Sequence, residues 1–171
     1  MAMRNWMACS FLILAATIPA HAQNKAHADI INAKGQPVGT ATFKQTKSGV
    51  NISLALNGLP PGTHGIHIHA VGKCDAPDFK SAGGHFNPDA KKHGARNPAG
   101  AHNGDLGNIA ANTKGIVKTT KLDKNITLGP GANSLFQPDG TSLVIHADSD
   151  DEMTDPSGNS GARIACGIIQ K

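Results

Sequence analysis

Apolar and polar residues alternate with a period of two along most of this chain. In "AHADIIN", "TATFKQT", "VNISLALN" and "THGIHIHA" roughly every second position is apolar, the pattern of a strand with one face in a core. The alternation predicts strands over 26–32, 40–46, 50–57 and 63–70, then over 106–111, 115–122, 142–147 and 163–169. Their breaks, "AKGQPVG", "KSG" and "LPPG", are short and rich in Gly and Pro, as tight connections require. No segment carries a helical stripe of useful length. Strands this short and numerous in one domain predict an all-β fold, an eight-stranded antiparallel Greek-key sandwich or flattened barrel.

Two stretches break the alternation. Residues 71–105 are rich in Gly and Pro and hold three histidines, and residues 148–161, "DSDDEMTDPSGNSG", are acidic and polar. Neither can bury much apolar surface, so something else must order them. Long loops in a compact domain are commonly functional.

The start of the chain is different again. "ACSFLILAATIPA" is an apolar run too short to span a bilayer comfortably, and "AHA" at Ala20–Ala22 has the small-x-small form of a signal-peptidase site. The same tripeptide recurs at Ala26–Ala28. Cleavage is expected after Ala22, with Ala28 the alternative, leaving residues 23–171 as one exported domain. Cys9 sits at the head of the apolar run and not at its end, which argues against a lipid anchor. The periplasm is the expected location.

Charge narrows the function classes. The formal net charge is +4, the lysines are scattered, Tyr is absent and the one Trp, Trp6, belongs to the leader. Nucleic acid is therefore not an expected partner, nor is a membrane once the leader is gone. Cys74 and Cys166 are the cysteines that remain, and in an oxidising compartment they have one possible pairing. Closing a loop of about 90 residues is worth roughly 4–5 kcal/mol in the chain-entropy description. Two free thiols or a cysteine metal site would be the alternative, but the C-x-x-C spacing is missing.

The histidines carry the candidate chemistry. His67 and His69 are two apart on a predicted strand and so share a face, while Ile66 and Ile68 point the other way into the core. His146 ends the apolar strand "SLVIHA" and could join them; a His-rich set with an open position suits copper. In the long loop, His85, His93, His102 and Asp105 make three imidazoles and a carboxylate, enough for a closed tetrahedral zinc shell. Closing it would also order the loop. Ordinary exposed or hydrogen-bonded histidines are the plainer reading of any one pair. His64, an odd offset from His67, is expected on the core side as a structural histidine bonded to loop backbone, and His27 is expected to have no role.

"HGIHIHAVGKCDAPDFKSAGGHFNP", "HNGDLGN", "VIHADSDD" and "GARIACGII" resemble the characteristic segments of copper/zinc superoxide dismutases, and the likeness runs from Ala26 to Ile169. The resemblance implies copper on His67, His69, His85 and His146, and zinc on His85, His93, His102 and Asp105, one of each metal per chain. His85 then bridges the two metals. It implies Asp150 as the carboxylate linking a copper histidine to a zinc histidine, and Arg163 at the mouth of the copper channel. The implied reaction turns two superoxide anions into dioxygen and hydrogen peroxide. His85 and Arg163 would be its catalytic residues, the first delivering a proton and the second holding the anion. The segment after His146 has no lysine before Arg163, so Lys73, Lys80, Lys91 and Lys92 are the candidates for steering. Members occur as dimers and as monomers, with a homodimer placed slightly ahead here. The alternatives are a non-catalytic exported copper/zinc-binding protein on the same fold, and a zinc hydrolase, which would need a free general base that the acids here do not offer.

Overall fold

The computed structural model describes residues 24–171; the expected leader, residues 1–22, lies outside them. Eight strands follow in chain order: β1 Lys25–Asn32, β2 Pro37–Thr46, β3 Gly49–Leu56, β4 Gly62–His69, β5 Asp105–Ala111, β6 Val117–Asp123, β7 Ser142–His146 and β8 Arg163–Ile168. Each matches a strand that the alternation predicts. β2 begins three residues early at Pro37, where φ is fixed in a range a strand end accepts. Asp105, expected in the loop, is the first residue of β5. Among the described residues, a single 3₁₀ turn, Lys80–Ala82, is the only element the alternation does not anticipate.

All neighbouring strands pair antiparallel in one sheet ordered β5-β4-β7-β8-β1-β2-β3-β6. β5 and β6 come back against one another, so the sheet curls into a nearly closed barrel. The steps from β3 to β4 and from β6 to β7 cross between its halves, as a Greek key does. Inward residues such as Ile30, Phe43, Ile52, Ile66, Ile68, Leu143 and Ile145 form the main core, which Leu128 and Leu135 plug from the β6–β7 connection. A second small core of Phe79, Ala82, Val144 and Cys166 lies outside the barrel wall, between β7–β8 and the long loop. That outer core seats the loop that carries the histidines. Among the described residues no helix is long and apolar enough to cross a membrane.

Candidate metal centre

β4 and β7 lie side by side with His67 opposite Val144 and His69 opposite Ser142. Since Ile66, Ile68, Leu143 and Ile145 fill the barrel, the alternate residues His67, His69 and His146 share its outer face. His85 arrives from the loop through an isolated bridge to His69. The ring centroids of His67 and His85 are 4.0 Å apart, those of His67 and His146 4.8 Å, and those of His69 and His85 4.9 Å.

In this quartet each ring has one committed nitrogen and one bare nitrogen. His67 Nε2 donates to Asp150 Oδ2 (2.8 Å), His69 Nδ1 to the Gly83 carbonyl (2.9 Å), His85 Nδ1 to Asp105 Oδ1 (2.9 Å), and His146 Nδ1 to the Gly161 carbonyl (3.3 Å). The other nitrogens, His67 Nδ1, His69 Nε2, His85 Nε2 and His146 Nε2, are buried with no hydrogen-bond partner. One ligating atom from each of the four lies within 4.8 Å of the others. An unpaired buried acceptor is costly, and four in one place, each backed by a held second nitrogen, is how metal-binding imidazoles are arranged.

The second cluster forms around Asp105. Its Oδ1 lies 2.9 Å from His85 Nδ1, 3.1 Å from His93 Nδ1 and 3.3 Å from His102 Nδ1, and the last is also 3.3 Å from His85 Nδ1. A tetrahedron with bonds of about 2.0–2.1 Å has edges of about 3.3–3.4 Å, so these separations lie within about half an ångström of the spacing a tetrahedral ion requires. His67 also comes within 4.8 Å of His85, His93 and Asp105, but its Nε2 is turned onto Asp150. His102 is the better fourth donor. The His85 ring spans both clusters, Nδ1 in one and Nε2 in the other.

Charge is distributed accordingly. Burial drives His69 well below its ordinary pKa. It lowers His85 to about 4 against the pull of Asp105, and His146 to about 3 with help from His67. These rings are neutral at pH 7, the form that binds metal. Burial also opposes charge on His93, but hydrogen bonds to Asp105 and Asp150 outweigh it and raise His93 to about 9. Burial would raise Asp105 and Asp150; their histidine partners and the Gly94 and Glu152 backbone N–H groups hold both far below the carboxylate range instead.

The other residues singled out in the sequence occupy distinct positions. Asp150 links His67 (2.8 Å) to His93 Nε2 (2.9 Å). Arg163 donates through Nη1 to the Phe79 carbonyl (2.7 Å) and through Nη2 to the Gly83 carbonyl (2.6 Å). Cys74 and Cys166 are joined, Cα atoms 5.6 Å apart, which ties the loop to β8 beside Arg163. His64 is buried away from both clusters, bonded to the carbonyls of Pro60, His146 and Ala147. His27 is exposed on β1. Of the candidate steering lysines, Lys80, Lys91 and Lys92 are paired with Asp78 (2.8 Å), Asp89 (3.6 Å) and Asp155 (2.9 Å), which shortens the reach of their fields.

Three contributors escape sequence reasoning. Asn108 clasps Asp150 by its backbone, donating to its carbonyl (2.8 Å) and accepting its N–H (2.7 Å). The Gly83 carbonyl serves His69 and Arg163 together. Gly158, at φ 65°, passes so close that any side chain would strike the Asp150 carboxylate and the His93 ring. Asn108 lies within "HNGDLGN", but nothing in that pattern distinguishes an amide clasping a carboxylate's backbone from one in a turn.

The copper/zinc superoxide dismutase family model matches residues 37–169. A relative named superoxide dismutase [Cu-Zn] 1, from Aquifex aeolicus, is 53% identical over 85% of this chain and 88% of its own length. Among solved structures, a double mutant of a superoxide dismutase-like protein from Bacillus subtilis superposes with a TM-score of 0.82 at 42% identity, covering 85% of this chain and 97% of that one. The clock protein EA4 superposes with a TM-score of 0.75 at 31% identity over 91% of this chain and 99% of its own. The family match, residues 37–169, contains every residue of both histidine clusters. This chain belongs to the copper/zinc superoxide dismutase family.

Proposed function

We propose that the chain is an exported enzyme that converts superoxide to dioxygen and hydrogen peroxide, with copper held by His67, His69, His85 and His146 and zinc by His85, His93, His102 and Asp105. Copper and zinc are the metals of its family. The observation that carries the reading is the set of four bare, buried ring nitrogens beside the Asp105 cluster, with His85 common to both. A non-catalytic metal binder on this fold is not favoured, because both donor sets, Asp150 and Arg163 are all present together.

Copper, when bound, supplies the one-electron couple that accepts an electron from one superoxide and returns it to a second. The chain's residues do the rest. Two of Arg163's five N–H donors are fixed by carbonyls, which sets its plane and leaves others for a small anion. Peroxide also needs two protons. His85 Nε2, one ring away from Asp105, is the proposed site that delivers one of them. Asp150 and the Gly83 and Gly161 carbonyls fix the remaining imidazoles, so the donor set does not rearrange as charge changes.

Cleavage after Ala22 fits this reading. β1 starts at Lys25 and buries Ala26 and Ala28 in the core, so cleavage after Ala28 would remove the first half of a paired strand. The Cys74–Cys166 bond supports an oxidising destination, for which the periplasm is our assignment. The proposed assembly is a homodimer free of the membrane, and sedimentation separates it from the monomer. The function is tested by metal analysis with a superoxide assay: one copper and one zinc per chain with cyanide-sensitive dismutation is expected. Full metal loading with no dismutation would refute it.

A further inference from the structure

We infer that Asp155 is a positioning residue for the zinc site, clamping the backbone of His93; this rests on the reading of His93 as a zinc ligand. His93 is fully buried, and three carboxylates from two separate segments hold it. Asp105, at the start of β5, lies 3.1 Å from its Nδ1, and Asp150 lies 2.9 Å from its Nε2. The third, Asp155, accepts the His93 backbone N–H at 2.7 Å, the shortest of the three. Two ring contacts leave the peptide free to pivot about them. The Asp155 bond removes that freedom and aims Nδ1 at the Asp105 cluster.

The surroundings make Asp155 part of a seam between the two long loops. Arg96 N–H donates to the Glu152 carbonyl (3.0 Å) and Asn97 Nδ2 to the Met153 carbonyl (3.2 Å). Gly94, at φ 93°, packs against Glu152 so closely that no side chain fits. Asp155 also pairs with Lys92 Nζ at 2.9 Å, but those side chains are 39% and 64% exposed, and such ion pairs contribute little. The bond to the buried His93 N–H is the one with consequence, since without it that donor has no acceptor. Outer partners of metal ligands typically change affinity ten- to a hundredfold.

The test is zinc affinity of the metal-free protein, measured by competition with a chromogenic chelator, with cobalt(II) absorption as a reading of site geometry. Asp155→Ala should weaken zinc about ten- to a hundredfold and alter the cobalt spectrum, while the metal-free protein still folds cooperatively and melts only a few degrees below the parent, as one unsatisfied buried N–H requires. Asp155→Asn keeps an oxygen that accepts the His93 N–H, so it should restore affinity to within a few-fold although it breaks the Lys92 pair. Lys92→Ala should behave like the parent. Parent-like affinity in Asp155→Ala overturns the inference, and so does a loss in Lys92→Ala that equals that of Asp155→Ala. His93→Ala separates the two readings: if it keeps parent affinity, His93 is not a ligand and the zinc assignment itself falls.

Discussion

The two halves of this barrel obey the same strand physics and come out differently. β1, β2 and β3 alternate buried and exposed residues, one face in the core and the other in water. β4 from His64 onward and all of β7 are buried on both faces. Their inner faces meet the same core. Their outer faces are covered by the loops of residues 71–104 and 147–162, which the outer core, the disulfide and the histidine clusters hold down. A face that water solvates can carry lysine and threonine. A covered face must supply partners for each polar group, and here the bare ring nitrogens are what it leaves for metal. Chemistry arises where a strand has been given a second roof.

Substitutions in each half break that comparison in different currencies. The largest effect is expected from His85→Ala, which takes a donor from both clusters: dismutation should fall by at least about a hundredfold, the scale of a lost proton-transfer group alone. Metal analysis should find both sites depleted, and depletion of only one would argue against a shared ring. In the plain half, Phe43→Ala removes a buried side chain of the main core and should cost about 3–5 kcal/mol in denaturant unfolding. Metal per folded chain should stay at the parent value. If it drops, the two halves are coupled more tightly than their separate cores suggest.

Arg163→Ile tests the approach to the covered face. Metal content should be unchanged and the rate about tenfold lower, with a shallower dependence on salt than the parent shows, because screening removes a field the variant already lacks. Equal rates at every ionic strength would reduce Arg163 to a strand-end cation. The smallest effect concerns Asp123 at the end of β6, where burial, the main cause, raises its carboxyl to about 6 and Oδ2 has no partner. Folded Asp123 keeps its proton to higher pH than the unfolded chain does, so stability is lost as pH rises from about 4 through 6. Asp123→Asn should therefore gain about 1 kcal/mol at pH 8, less than the full shift because its amide N–H₂ gains no partner, and nothing at pH 4. Thermal melts at the two pH values check it; equal changes at both would remove the ionisation from the account.

Much of this protein is legible in its sequence because the informative patterns are local. Alternation reads the strands to within a few residues, and His67-x-His69 on a strand places two imidazoles on one face whatever the rest of the chain does. The histidine-rich loop and the cysteine pair announce ligands and a tether by residue type alone. Tertiary structure decided what those side chains lean on. The carbonyls of Gly83 and Gly161, the Asn108 clasp and the Asp155 bond to His93 join residues 14, 15, 42 and 62 apart in sequence. It also decided that His64 faces three carbonyls, and that Lys80, Lys91 and Lys92 are paired with acids instead of projecting free charge. A backbone carbonyl is the same at every position, and an aspartate in an acidic stretch looks like its neighbours. Only the fold, by bringing one of them to a buried donor, gives it a role.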